Sequence, residues 1–166
     1  MPVRRLNHAV LYVRDASRSA AFYGEVFDFK VDMEIPGRAV FLSAADTLND
    51  HDLGLFTVGE GAPAQPRGGV GLYHLAWEVG TLRELHEIAG RLQKAGALAG
   101  ASDHLVSKSL YGKDPDGIEF EVMWRVPRED WPKEDGGAAV LPLDLQAALD
   151  TWGPDLATGA AAGSPT

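Results

Sequence analysis

Two stretches of the chain, 66 residues apart, carry one pattern. Residues 5–13 read R-L-N-H-A-V-L-Y-V and residues 71–79 read G-L-Y-H-L-A-W-E-V. The offset superposes Leu6 on Leu72, His8 on His74 and Val13 on Val79. Each stretch has the apolar, β-branched and aromatic content of a strand. The segments after each stretch repeat too: a helical period comes next, then short extended runs. A chain built this way reads as an internal repeat of one supersecondary unit: a strand, a helix, then about three strands.

In the first copy, residues 15–27 have helical spacing, with Ala16, Ala20, Tyr23, Val26 and Phe27 on one stripe, and Asp15 or Ser17 can cap it. Residues 29–35 and 38–43 are extended runs parted by Pro36-Gly37, a turn signal. Residues 46–52 form a polar loop that contains His51, and 53–58 are a further strand. Residues 59–69 are rich in Gly and Pro and read as a connector. The second copy has a helix over 81–95, carried by Leu82, Leu85, Ile88, Ala89 and Leu92 and stopped by Gly96. Extended runs complete it to residue 125.

The second copy closes on Y-G-K-D-P-D-G-I-E-F-E-V-M-W, residues 111–124. Asp114-Pro115-Asp116-Gly117 is turn chemistry: proline presets its φ and glycine accepts a positive one. Beyond the turn, Ile118, Phe120, Val122 and Trp124 share one face of a strand, with Glu119, Glu121 and Met123 on the other. The hairpin returns Tyr111 beside a strand with two carboxylates, which are either solvated or partnered. After residue 125 the pattern breaks. Residues 126–156 form a C-terminal extension, with a short helix expected over 141–152, and 157–166 read as an unstructured tail.

Composition narrows the function. The net charge is −9 with no basic run, which speaks against nucleic acid. No apolar run approaches the ~20 residues of a membrane span. Arg4 and Arg5 are not followed by a signal-type apolar core, because Asn7, His8, Arg14 and Asp15 interrupt it, so a cytoplasmic protein fits. The chain has no cysteine. Disulfides, thiol nucleophiles and thiolate metal sites are therefore excluded, and any metal must be held by histidine and carboxylate.

A histidine between apolar strand neighbours is either a satisfied core residue or a ligand. Two at equivalent places of a repeat favour the second reading. If the copies pair about a pseudo-twofold axis, His8 and His74 can approach and Glu121 can close the site. Two neutral imidazoles and one carboxylate form a facial triad, which leaves three positions of a divalent metal open. Sixty-six residues before Glu121 stands Leu55, so the first copy offers no fourth ligand.

These features resemble the vicinal oxygen chelate superfamily, which includes glyoxalases, bleomycin resistance proteins and extradiol dioxygenases. The resemblance covers residues 4–125 and rests on His8, His74, the D-P-D-G turn and Glu121 four residues after its glycine. It implies an α+β fold: one domain over residues 1–125, made of two βαβββ modules at about 4–58 and 70–125, whose mixed sheet curves around a metal site. Within the superfamily the chain is most similar to single-domain extradiol catechol 2,3-dioxygenases. His51-Asp52-Leu53-Gly54-Leu55 resembles their acid/base histidine segment, although Gly54 stands where alanine is usual. Tyr111 and His104 resemble their active-site tyrosine and second histidine.

The resemblance implies Fe(II), with Mn(II) possible, at His8, His74 and Glu121, and ring cleavage of a catechol by O2. His51, Tyr111 and His104 would then be catalytic, with His51 as the proton carrier. It also implies a small-molecule partner and a homodimer or higher homo-oligomer. The competing expectations are a glyoxalase-like metal-dependent isomerase or lyase, and a non-enzymatic antibiotic-binding protein. The first usually needs a fourth ligand from the first module, where Leu55 and Gly54 stand, and the presence of all three ligands speaks against the second. His86, on the second helix, reads as a surface residue.

Overall fold

The structure is a computed structural model that describes residues 2–3, 5–133 and 139–159. The chain divides into two compact units. The first comprises Met1–Gly69 with Asp114–Ile118, and the second Val70–Lys113 with Glu119–Thr166.

The first unit contains β1 (Ala9–Val13), α1 (Ala16–Phe27), β2 (Lys30–Ile35), β3 (Ala39–Ser43) and β4 (Leu53–Thr57). Its sheet has the order β1-β4-β3-β2, with β1 parallel to β4 and the other pairs antiparallel. Leu11 and Val13 of β1 face inward while Val10 and Tyr12 face out. The core therefore takes the odd face of this strand, and the even face of His8 is the open one. Asp15 caps α1 by accepting from the Arg18 amide at 3.0 Å. Ala16, Ala20, Tyr23 and Val26 of the expected stripe are buried.

The turn after Lys113 is built by its own side chains. Asp114 accepts from the amides of Asp116 and Ile118, both at 2.9 Å, and Gly117 takes φ +83°. Asp116 is gripped by Arg14 through its backbone amide at 2.8 Å and its guanidinium at 3.0 Å, and by Arg18 at 2.6 Å. This ion cluster holds the turn in the first unit.

The second unit repeats the plan and extends it. It contains β5 (Leu75–Glu78), α2 (Leu82–Lys94), β6 (Leu98–Asp103), β7 (Ser107–Lys113), β8 (Glu119–Arg125), β9 (Leu141–Pro142) and α3 (Leu145–Trp152). The sheet order is β5-β8-β7-β6-β9, again with one parallel pair, β5 with β8. Both units are thus βαβββ, as the repeat predicts. A bulge interrupts the antiparallel pairing at the same place in each, between Val31 and Met33 and between Leu98 and Gly100. Thr81 starts α2 with a capping box: its side chain accepts from the Glu84 amide and Glu84 reaches back.

Two sequence expectations change. Residues 98–103, L-A-G-A-S-D, are a strand that the sequence reading did not single out, because Ala, Gly, Ser and Asp are weak strand formers. Pairing on both sides, with β7 and β9, supplies what propensity lacks. The supposed tail is the other change. Ala157 bridges Thr81, the Thr158 amide donates to Gly80 O at 2.7 Å, and the Gly159 amide donates to Arg125 O at 2.8 Å. The Thr158 hydroxyl accepts from the Arg125 amide and donates to Glu78. Small residues suit this close backbone pairing. Residues 160–166 lie outside the described residues. Among the described residues no helix is long and apolar enough to cross a membrane.

Deleting residues 157–166 removes these bonds and leaves the Arg125 amide and carbonyl at the end of β8 without these partners. Net values of about 0.5 kcal/mol each, the low end for exposed hydrogen bonds, give an expected loss of about 2 kcal/mol. Thermal unfolding would then fall by about 4–8 °C. An unchanged melting temperature would show that residues 157–159 contribute nothing to the fold.

Candidate active site

In the second unit the site grows from the alternation of β8. Phe120, Val122 and Trp124 are buried, so Glu119, Glu121 and Met123 take the opposite face. Two pairings then fix what surrounds Glu121. It lies opposite Tyr111 on antiparallel β7 and beside Ala76 on parallel β5. His74, the residue before β5, places Nε2 3.2 Å from Glu121 Oε2. The Tyr111 hydroxyl stands 3.3 Å from Glu121 Oε1. The register has a steric lock: a Cβ on Gly112 would lie 2.4 Å from Phe120 Cζ and 3.0 Å from Ala97 O. Only glycine lets the Phe120 ring cover β7 there.

His104 sits in the tight connection from β6 to β7, where Leu105 takes φ +67°. Its Nδ1 lies 2.6 Å from Ala139 O and its Nε2 2.7 Å from the Tyr111 hydroxyl. A carbonyl oxygen only accepts, so Nδ1 carries a hydrogen. In the neutral imidazole Nε2 then accepts from Tyr111. In the imidazolium Nε2 donates, and the single tyrosine proton turns to Glu121. The pair can therefore pass a proton along a defined line. Burial and the Glu121 carboxylate push the Tyr111 pKa up from 10.0 to about 12, so the group is a neutral donor at physiological pH.

The first unit holds the other two candidate histidines. His8 immediately precedes β1, as His74 precedes β5. The His8 and His51 rings are 4.5 Å apart, tilted by 44°, and the edge of Phe41 meets His51 at 5.1 Å. His51 Nδ1 is 3.0 Å from Asp50 Oδ2, and this bond holds the exposed Asp50 carboxyl below its usual range. With Nδ1–H donating to the carboxylate, neutral His51 keeps a lone pair on Nε2. His86 is exposed on α2 and takes no part.

The donor types fit a divalent ion. Two donors on adjacent octahedral positions, each about 2.1 Å from the metal, stand roughly 3.0 Å apart. The 3.2 Å separation of His74 Nε2 and Glu121 Oε2 matches that spacing. Among the described residues no three His, Asp or Glu side chains are gathered into a metal-holding group. His74 and Glu121 form a pair in the second unit, and His8 belongs to the first.

The pairings correct one alignment. Ala9 pairs with Leu53 and its counterpart Leu75 pairs with Phe120, so the counterpart of Glu121 is Gly54 rather than Leu55. The second copy has one more residue between its first and last strands. Neither Gly54 nor Leu55 is a ligand, and Leu55 is fully buried in the core. The absence of a fourth carboxylate at this position stands. Sequence reading passed over Asn7 and Asn49, which bond to each other and reach His8 and Asp52. An amide next to a candidate ligand histidine is the signal that points to them.

Comparison with known proteins agrees with this architecture. A model of the Glyoxalase/Bleomycin resistance protein/Dioxygenase superfamily matches residues 5–122. The chain is 31% identical to a catechol-2,3-dioxygenase of Bacillus subtilis (strain 168) over 157 residues, 92% of this chain. The alignment covers 54% of that protein, so the chain spans about half the length of this curated relative. A glyoxylase/bleomycin resistance protein/dioxygenase domain from Frankia sp. EAN1pec is similar in structure, with 25% identity and a TM-score of 0.60 over 75% of this chain and all of that one. A lactoylglutathione lyase from Agrobacterium tumefaciens shares the fold at 24% identity, with a TM-score of 0.56 over 74% of this chain and 95% of that one.

The raised pKa of Tyr111 has a stability consequence. Above pH 10 an unfolded tyrosine releases its proton, while folded Tyr111 keeps it to about 12. The unfolded state then binds fewer protons, so stability falls as pH rises through this window. In metal-free protein, Tyr111→Phe should flatten that alkaline decline, leaving the share due to buried Tyr23, whose pKa is also raised. Urea unfolding across the window measures it. An identical slope in the variant would show that Tyr111 titrates as an ordinary tyrosine.

Proposed function

Because the chain belongs to the Glyoxalase/Bleomycin resistance protein/Dioxygenase superfamily, we propose that it is an Fe(II)-dependent extradiol dioxygenase that cleaves a catechol with O2. One observation carries the reading: Tyr111 and His104 form a proton-carrying pair against Glu121, a candidate ligand that also meets His74. A site that only binds a ligand has no need of this donor line beside the carboxylate. The similarity to the catechol-2,3-dioxygenase supports the same reaction class. Leu55 and Gly54, which cannot ligate through their side chains, speak against a four-ligand isomerase.

In this reading His8, His74 and Glu121 hold the metal, Fe(II) or alternatively Mn(II). When bound, the ion would hold the diol, which supplies the electrons, beside O2, which accepts them. The chain's own groups handle the protons. His51 Nε2 takes the proton of the second catechol hydroxyl and later returns it, with Nδ1 steadied by Asp50. Tyr111 donates its hydroxyl hydrogen to a substrate oxygen, and His104 sets the direction of that hydrogen bond. The ring opens next to the diol, and both atoms of O2 enter the product.

Anaerobic loading with Fe(II), followed by catechols and air, tests the proposal. The expected result is a yellow ring-fission product from the wild type. Alanine at His8, His74 or Glu121 should abolish both metal retention and product. His51→Phe should keep the metal and slow turnover by about 10²–10⁴-fold, the range for losing a general acid–base group. The loss in Tyr111→Phe should be smaller, since one hydrogen bond to the substrate goes while His51 remains to take and return the catechol proton. Metal retention without ring cleavage for any catechol would overturn the dioxygenase assignment. Wild-type turnover in His51→Phe would remove His51 from the chemistry.

A further inference from the structure

The first unit contains a chain of hydrogen bonds whose direction is fixed at every link. Asp52 is its anchor. Its carboxylate accepts from the Ala44 amide at 2.9 Å, the Thr47 hydroxyl at 3.0 Å and Asn49 Nδ2 at 2.6 Å. Asn49 Nδ2 also donates to the main-chain oxygen of Asn7 at 2.9 Å. Both of its partners can only accept, so the amide nitrogen must face them. The carbonyl side of Asn49 receives Arg5 Nη2 at 2.7 Å, a group that can only donate. The orientation of Asn49 is therefore fixed from both ends.

The next link is fixed in turn. Asn49 Oδ1 accepts from Asn7 Nδ2 at 2.8 Å, because the reverse orientation would set two oxygens against each other. Asn7 Oδ1 must then face His8, whose Nδ1 lies 2.8 Å away. An amide oxygen cannot donate, so His8 Nδ1 must carry the hydrogen. Neutral His8 is left with its lone pair on Nε2.

We infer that Asn7, Asn49 and Asp52 are positioning residues that set the tautomer of His8 and preset its Nε2 as a metal donor. The metal half of the inference rests on the reading of His8 as a ligand. The tautomer half does not. A neutral histidine side chain in water favours the hydrogen on Nε2, which would block that nitrogen. The relay reverses this preference before any ion arrives. It also fixes the ring orientation, since Asn7 is held at both its side-chain nitrogen and its main-chain oxygen. A partner on the non-ligating nitrogen is what ligand histidines require. Here the partner is an amide oriented by a carboxylate three hydrogen bonds from the ring.

Nitrogen-15 NMR of histidine-labelled, metal-free protein, above the pH where histidines titrate, reads the tautomer directly. His8 is assigned by the signals lost in His8→Gln. Wild-type His8 is expected to show a protonated Nδ1 and a bare Nε2. In Asn7→Leu, which removes the acceptor at an exposed position, the Nε2–H form should become the major one. Mn(II) titration followed by electron paramagnetic resonance gives a second readout, with affinity expected to fall by about 10–100-fold in Asn7→Leu. Nε2–H as the main form in the wild type would overturn the relay. Equal Mn(II) affinity in both proteins would overturn its link to the metal. A wild type that binds no Mn(II) would overturn that link together with the ligand reading of His8, and the tautomer alone would then decide the relay.

Discussion

The Phe120 ring lies against the bare backbone of Gly112, and the site in the second unit depends on this contact. It pins β8 to β7 in one register, because a slip of one residue would turn Phe120, Val122 and Trp124 out of the core and Glu121 into it. Burial of those three side chains thus decides where a carboxylate can stand. Once the register is set, Tyr111 is opposite Glu121 and the parallel partner β5 brings His74 alongside. The packing and the polar cluster are two faces of one strand. Neither can move without the other.

Much of this was legible in residues 111–124. Strict alternation after a D-P-D-G turn states both the buried face and the carboxylate face, and the structure keeps both. The duplication was legible through His8 and His74, each one residue before its strand. Three features were less open to a linear reading. β6 is made of weak strand formers and owes its state to neighbours on both sides. Residues 157–159 look like a frayed end by composition, yet backbone pairing with residues 80, 81 and 125 uses their small size. The counterpart of Glu121 differs by one residue from a rigid offset, since only pairing registers reveal the extra residue. The Asn7–Asn49 contact joins positions 42 apart, so no local pattern announces it.

Hydrogen-bond direction links fold to chemistry in both units. Where an acceptor-only group ends a chain, it fixes which nitrogen of the adjoining histidine or amide side chain carries hydrogen. Ala139 O plays this part for His104 and Tyr111, and Asp52 plays it for Asn49, Asn7 and His8. The two units share a βαβββ plan but use it differently. The second offers a histidine–carboxylate pair with a tyrosine donor. The first offers a histidine with an oriented lone pair and a second imidazole packed against it. The superfamily includes both glyoxalases and dioxygenases, so the shared fold leaves the reaction to these side chains.

In the proposed function His8, His74 and Glu121 hold one divalent ion. Crystals grown with Mn(II), with data collected at its absorption edge, test it most directly. The account predicts one anomalous-difference peak at bonding distance from Nε2 of His8, Nε2 of His74 and a carboxylate oxygen of Glu121, with no fourth protein ligand. A peak held by other side chains, or no peak near these three in crystals that contain the metal, would contradict it.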